Sequence, residues 1–142
     1  MENYDKKEFL MKEVDIIQSI INRMTSNSFL IKGWTITLVS AILLLDNIAS
    51  FKLQIAIVFI PIALFWFLDS YFLWQERLFR KLYDWVISNR LINDEWLLNM
   101  NTDRFKEEIP KYAAPLSKTL LLFYGSIVAS VLLYLIFIYM SK

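Results

Sequence analysis

Thr119 to Met140 reads TLLLFYGSIVASVLLYLIFIYM, twenty-two consecutive positions without a formal charge. Wound as an α-helix at about 1.5 Å per residue, such a run crosses a hydrocarbon core of roughly 30 Å. Upstream, Leu53 to Trp74 (LQIAIVFIPIALFWFLDSYFLW) is equally long and is interrupted only by Pro61 and Asp69. Both are tolerated in a span when a neighbouring helix or a polar partner satisfies them. Phe29 to Leu45 is shorter and carries Lys32 near its start. A lysine one turn from a helix end can snorkel to the headgroups, so this block is a third expected span. Asp46 to Lys52 is left as a short turn, which makes the first two spans an antiparallel hairpin. The expected fold class is therefore all-α and integral to a membrane. It has three transmembrane helices (29–45, 53–74 and 119–140), an amphipathic N-terminal helix within 1–28 and a helical cytoplasmic loop region over 75–118.

Composition agrees with that segmentation. The chain has 142 residues, 57% of them hydrophobic and 16% aromatic, with only two glycines. A soluble core of this size alternates short amphipathic elements, whereas here apolar residues form blocks and charges gather between them. One membrane domain over 1–142 is the expected organisation. The start, MENYDKKE, has no apolar core behind it, so insertion is expected to rely on the later helices. There is no cysteine and no histidine. Disulfides, thiol chemistry and the usual zinc or haem ligands are thereby excluded, and neither metal nor cofactor is expected.

Direction follows from the basic residues. Lys6, Lys7, Lys12, Arg23, Lys32, Arg77, Arg80, Lys81, Arg90, Arg104, Lys106, Lys111 and Lys118 fall on one side, against Lys52 and Lys142 on the other. The positive-inside rule then puts the N-terminus and the 75–118 loop in the cytoplasm and the C-terminus outside. In a bacterium that is a multi-pass inner-membrane protein with a periplasmic C-terminus.

Between Tyr4 and Ser28, Leu10, Val14, Ile17, Ile21 and Met24 recur at helical spacing. Such a stripe can lie on the membrane, pack on other cytoplasmic helices or form an oligomer seam. Gln75 to Asn89 lacks Gly and Pro, so the second span is expected to run on into the cytoplasm as one rod. A break is expected at Asn93-Asp94, with short helices at Glu95 to Met100 and Asp103 to Ile109 ahead of Pro110 and Pro115. Ser117 is positioned to cap the third span.

No catalytic constellation is present: there is no Walker-type or dinucleotide-binding glycine pattern, and the adjacent Glu107 and Glu108 point apart on a helix. A non-enzymatic protein is expected. Asp69 stands out because a carboxylate inside a span is expensive and marks a pairing or functional position. It should lie at the depth of Lys32, which predicts an ion pair between them. The pair either locks the hairpin or gates a pore vestibule. Arg77, Arg80 and Lys81 alternate with Trp74, Phe79, Tyr83 and Trp85. Cations with flat rings suit a single-stranded nucleic acid, and the same composition describes a lipid-headgroup belt. Gly125, Ser126, Ala129 and Ser130 form overlapping small-residue steps that favour close helix packing and self-association. Three spans alone enclose no wide aqueous path, so conduction requires several copies around an axis.

Across Glu13–Trp34 (EVDIIQSIINRMTSNSFLIKGW), Phe65–Trp85 (FWFLDSYFLWQERLFRKLYDW) and Asp103–Phe105, the chain resembles small bacterial membrane proteins of anti-phage defence, most closely the membrane effectors of the Hailong system. The resemblance covers most of the chain. It implies a tetrameric ion channel held shut by single-stranded oligodeoxyadenylate, the product of a partner nucleotidyltransferase, and opened when infection removes that inhibitor. A DNA ligand would draw on Arg77, Arg80 and Lys81, with Arg23, Asn27 and Lys32 near the cytoplasmic mouth as further candidates. The near-neutral net charge of +1 departs from the pattern of a strong DNA binder, and symmetric copies would have to sum their patches. A non-conducting anchor that recruits a soluble enzyme is the competing expectation, and a small transporter is a third, for which Pro61 alone is weak support.

Overall fold

The computed structural model describes residues 2–44, 51–90, 92 and 97–140. Three long helices carry almost all of it: α1 (Glu2–Leu43), α2 (Phe51–Asn89) and α3 (Lys118–Met140). Single 3-10 turns occupy Asp103–Phe105 and Lys111–Ala113, and no strand occurs among the described residues. The chain packs as two compact units, 1–28 with 71–111 and 29–70 with 112–142. Both α1 and α2 continue unbroken through the unit boundaries.

Among the described residues, two helices are long and apolar enough to cross a membrane, Ile55–Asn89 and Lys118–Ile138. Pro61 lies within α2 without ending it. Most of the expected interspan turn and the Asn93-Asp94 break lie outside the described residues. Residues 97–100 are turn and irregular chain rather than the end of a helix. There Leu98 holds a left-handed φ of 56°, a conformation that costs a β-carbon-bearing residue about 1 kcal/mol and interrupts helical winding. The expected helix over 103–109 is likewise reduced to the 3-10 turn at 103–105. Two local hydrogen bonds shape the chain leading into it: Asn99 Oδ1 accepts from the Asn101 N–H (2.9 Å) and Asn101 Oδ1 from the Asp103 N–H (2.8 Å). Pro110 then disfavours helical backbone at the residue before it.

In the first unit the α1 and α2 segments run antiparallel. Trp74, Leu78, Leu82 and Val86, four residues apart, make one buried row of α2 and meet Ile17 and Phe105 in the core. The apolar stripe read from the sequence is only partly submerged: Ile17 is buried, while Leu10, Val14, Ile21 and Met24 are half-buried. Glu13 is buried beside them instead. It is held by Arg90, whose Nε and Nη2 donate to the two carboxylate oxygens at 2.6 and 2.7 Å, with both side chains at most 2% exposed. Such a fork satisfies the carboxylate geometrically and offsets its desolvation. The Arg90 and Arg104 guanidinium groups lie 5.3 and 4.0 Å from the Trp85 ring. Burial depresses the Arg104 pKa, the nearby Arg90 charge adds to that, and Glu13 opposes it. The loop is fastened further by Trp74 Nε1 donating to the Ile109 carbonyl at 2.9 Å.

In the second unit α3 runs antiparallel to α2 and alongside α1. Trp66 Nε1 donates to the Pro115 carbonyl (3.1 Å), Tyr124 Oη to the Phe65 carbonyl (3.1 Å) and Tyr134 Oη to the Leu43 carbonyl (3.3 Å). Ser117 Oγ accepts from the Leu120 N–H at 3.4 Å at the start of α3. The inner seam comprises Ile31, Thr35, Val39, Val58, Ile62, Leu120, Tyr124, Val131 and Leu135. Large apolar side chains also cover the outside, among them Phe29 (77% exposed), Phe67 (65%), Leu122 (75%) and Phe137 (72%). A surface this apolar is suited to lipid or to protein neighbours rather than to water.

Replacing Glu13 with Gln removes the charged partner of the buried Arg90 fork, a loss of about 3–5 kcal/mol for a buried pair. Thermal unfolding of the detergent-solubilised protein should show a lower midpoint for Glu13→Gln. The double variant Glu13→Leu/Arg90→Met should recover much of it, and an unchanged Glu13→Gln midpoint would contradict this account of the first unit.

Candidate functional site

Two constellations combine polar chemistry with a defined geometry, one in each unit. In the second unit Asp69 has no exposed surface. Its Oδ2 receives the Lys32 Nζ at 2.6 Å and the Tyr124 Oη at 3.2 Å. The three side chains come from α2, α1 and α3, so the carboxylate is where all three helices are tied. Helical winding explains the placement: Val58, Ile62 and Asp69 lie at spacings of four and seven, which keeps the acid on the buried face of α2. Lys32 retains 21% of its side-chain surface, and its ammonium is 5.8 Å from the Phe123 ring centroid.

In the first unit, α1 and α2 bound a groove of about 410 Å³ lined by Gln18, Ile21, Asn22, Arg80, Tyr83 and Asp84. Gln18 and Asn22 are one turn apart on α1, and Arg80, Tyr83 and Asp84 form one turn of α2. Gln18 Nε2 donates to Tyr83 Oη at 3.3 Å across the groove. The lining therefore offers two amides, a phenol ring, one guanidinium and one carboxylate. Amides match the donor and acceptor edges of a base, the ring offers a stacking face and the guanidinium fits phosphate. Asp84 opposes an anion in the same space.

The basic cluster read from the sequence is divided. Arg80 lines the groove, and its Nε and Nη2 both lie 2.8 Å from Glu76 Oε1. Lys81 Nζ lies 3.1 Å from Glu108 Oε2, so the solvated Glu108 has a partner on α2. Arg77 is half-buried, with no acid within 4.0 Å among the described residues. Arg23 is exposed and Asn27 half-buried on α1, and neither lines the groove. Gly125, Ser126, Ala129 and Ser130 are all exposed on α3. Nothing within 4 Å would meet a β-carbon added at Gly125. Ser126 and Ser130 donate to the carbonyls of Phe123 and Ser126, both at 2.8 Å, so within this chain their hydroxyls bond along their own helix.

Gln18, Asn22, Asp84 and Tyr124 escaped the sequence reading. The polar pair Gln18 and Asn22, one turn apart beside an apolar stripe, was the available signal for the first two. Tyr124 had none, because a tyrosine within an apolar run is ordinary. Comparison of the chain with protein-family models, with curated proteins and with solved structures returns no match.

Asp69→Ala breaks the buried ion pair with Lys32 and should cost about 3–5 kcal/mol, whereas Tyr124→Phe loses hydrogen bonds worth about 1 kcal/mol each. Melting midpoints of the two variants in one detergent should fall in that order. Equal, small shifts would remove Asp69 from the centre of the second unit.

Proposed function

We propose that this chain is an oligomeric pore-forming membrane effector of bacterial anti-phage defence, assembled as a homotetramer and gated by a cytoplasmic oligonucleotide. In this reading the chain lies in the inner membrane with three spans, the third supplied by the 29–45 stretch of α1. The N-terminus and the 75–118 loop are cytoplasmic and the C-terminus is periplasmic. The observation that carries the reading is the fully buried Asp69, bound by Lys32 and Tyr124 inside an otherwise apolar three-helix unit. Ionisable groups at that depth are retained where they pair or line an ion path. Lys32, partly exposed, is the member placed to leave the pair when the helices move.

The ligand assignment comes from the resemblance to Hailong effectors, in which oligodeoxyadenylate from a nucleotidyltransferase holds the channel shut. The groove at Gln18, Asn22, Arg80 and Tyr83 supports it chemically, with Arg77, Lys81, Arg23 and Asn27 as candidate phosphate contacts. A second reading, a non-conducting anchor that recruits a soluble enzyme, is favoured by one observation: Glu76 and Glu108 already neutralise Arg80 and Lys81. An anchor needs no free cations.

Membrane potential in cells decides between the two. Expression of the protein alone should depolarise the cells and co-expression of the nucleotidyltransferase should prevent it, with Asp69→Ala and Ser126→Leu both altering the current. No depolarisation under either condition would establish the anchor. Binding of fluorescent oligodeoxyadenylate to the solubilised protein gives a separate check. Tyr83→Ala should weaken it by about 1–3 kcal/mol, the worth of one stacked base, and Glu76→Gln should strengthen it. A steep loss of affinity with added salt should accompany both.

A further inference from the structure

The second unit is not equally apolar on all sides. On α2 the exposed large side chains are Leu53, Ile57, Ile60, Leu64, Phe67 and Leu68. Ala56 and Ala63 complete the exposed described positions from 53 to 68, so over that stretch the described side chains of this face carry no hydroxyl, and the next one along it is the Tyr71 phenol. The opposite pairing, α1 with α3, leaves a groove of about 250 Å³. Ser40 reaches it from α1 and Ser126 and Ser130 from α3, between Ile36, Val39 and Val131. Thr37 is exposed on α1 beside Ser40, and its hydroxyl donates to the Gly33 carbonyl at 3.0 Å.

A depression of that size within hydrocarbon has to be filled by water, an acyl chain or another helix. Serines that donate to their own helix carbonyls still present lone pairs, and polar side chains in spans gather where a water-filled cavity or the protein interior receives them. Acyl chains fit the α2 face over 53–68, where every exposed side chain among the described residues is apolar. An assembly around an axis can turn only one face of each copy inward. We infer that the α1–α3 groove is that face and is wet, with Ser40, Ser126 and Ser130 lining the water path and α2 turned to lipid. The inference rests on the pore reading. It adds Ser40 as a lining residue and assigns Ser126 and Ser130 to water rather than to helix packing.

The absence of cysteine makes the test clean, since each introduced thiol is the only one in the chain. Ser40→Cys, Ser126→Cys and Ser130→Cys are near-isosteric, and Leu64→Cys and Phe67→Cys report on the α2 face. The full-length variants in native membranes are treated with a charged, membrane-impermeant methanethiosulfonate, and modification is followed by mass shift alongside the current. The reacting thiolate persists only in water, so the three groove positions should be modified on the order of tenfold or more faster than the two on α2. Their modification should also block the current. Labelling that is equally slow at all five positions overturns the inference, because lipid or a neighbouring helix then fills the groove. Current without groove labelling overturns it too while leaving the pore reading intact. Fast groove labelling in a protein that passes no current would keep the groove wet and end the pore reading instead.

Discussion

A carboxylate without any exposed surface has lost its hydration and has to be met by donors from the protein, and the second unit is organised around that constraint. Asp69 is the acid, Lys32 the cation and Tyr124 the additional donor. Each of α1, α2 and α3 is therefore held at the height where its polar group reaches the others. The apolar seam from Ile31 to Leu135 contributes area, and area alone tolerates sliding by a turn. The polar contacts do not tolerate it, because hydrogen bonds and close ion pairs are lost within an ångström or two.

The first unit applies the same physics with a different cation. Arg90 binds Glu13 through two parallel hydrogen bonds, which fixes orientation as well as distance. Lysine brings a single point charge to Asp69 and keeps part of its stem exposed, whereas the arginine fork is almost fully enclosed. The lysine pair is consequently the less enclosed of the two.

Electrostatics around the first-unit groove limits what it can bind. Glu76 and Glu108 hold two of the three clustered cations, and Asp84 sits in the lining. A polyanion must therefore compete with resident acids, and affinity depends on stacking and amide contacts or on copies summed around an axis. The net charge of +1 expresses the same balance over the whole chain.

The all-helical character, the apolar runs of α2 and α3 and the unbroken passage of α2 through 75–89 were legible in the sequence because each follows from local properties: hydropathy, length and the absence of Gly and Pro. The same information placed Lys32 and Asp69 at one depth. Local pattern misled at 97–109, where a left-handed Leu98 and the restriction imposed by Pro110 outweigh helical propensity. It also passed over Glu13, a charge beside an apolar stripe, since only Arg90, distant in the chain, makes burial affordable. Which hydroxyls share a groove, which acids neutralise Arg80 and Lys81, and that Tyr124 completes the Asp69 cluster were decided by tertiary structure alone. Each depends on distances between residues far apart in the chain, and one-dimensional spacing carries no information about those distances.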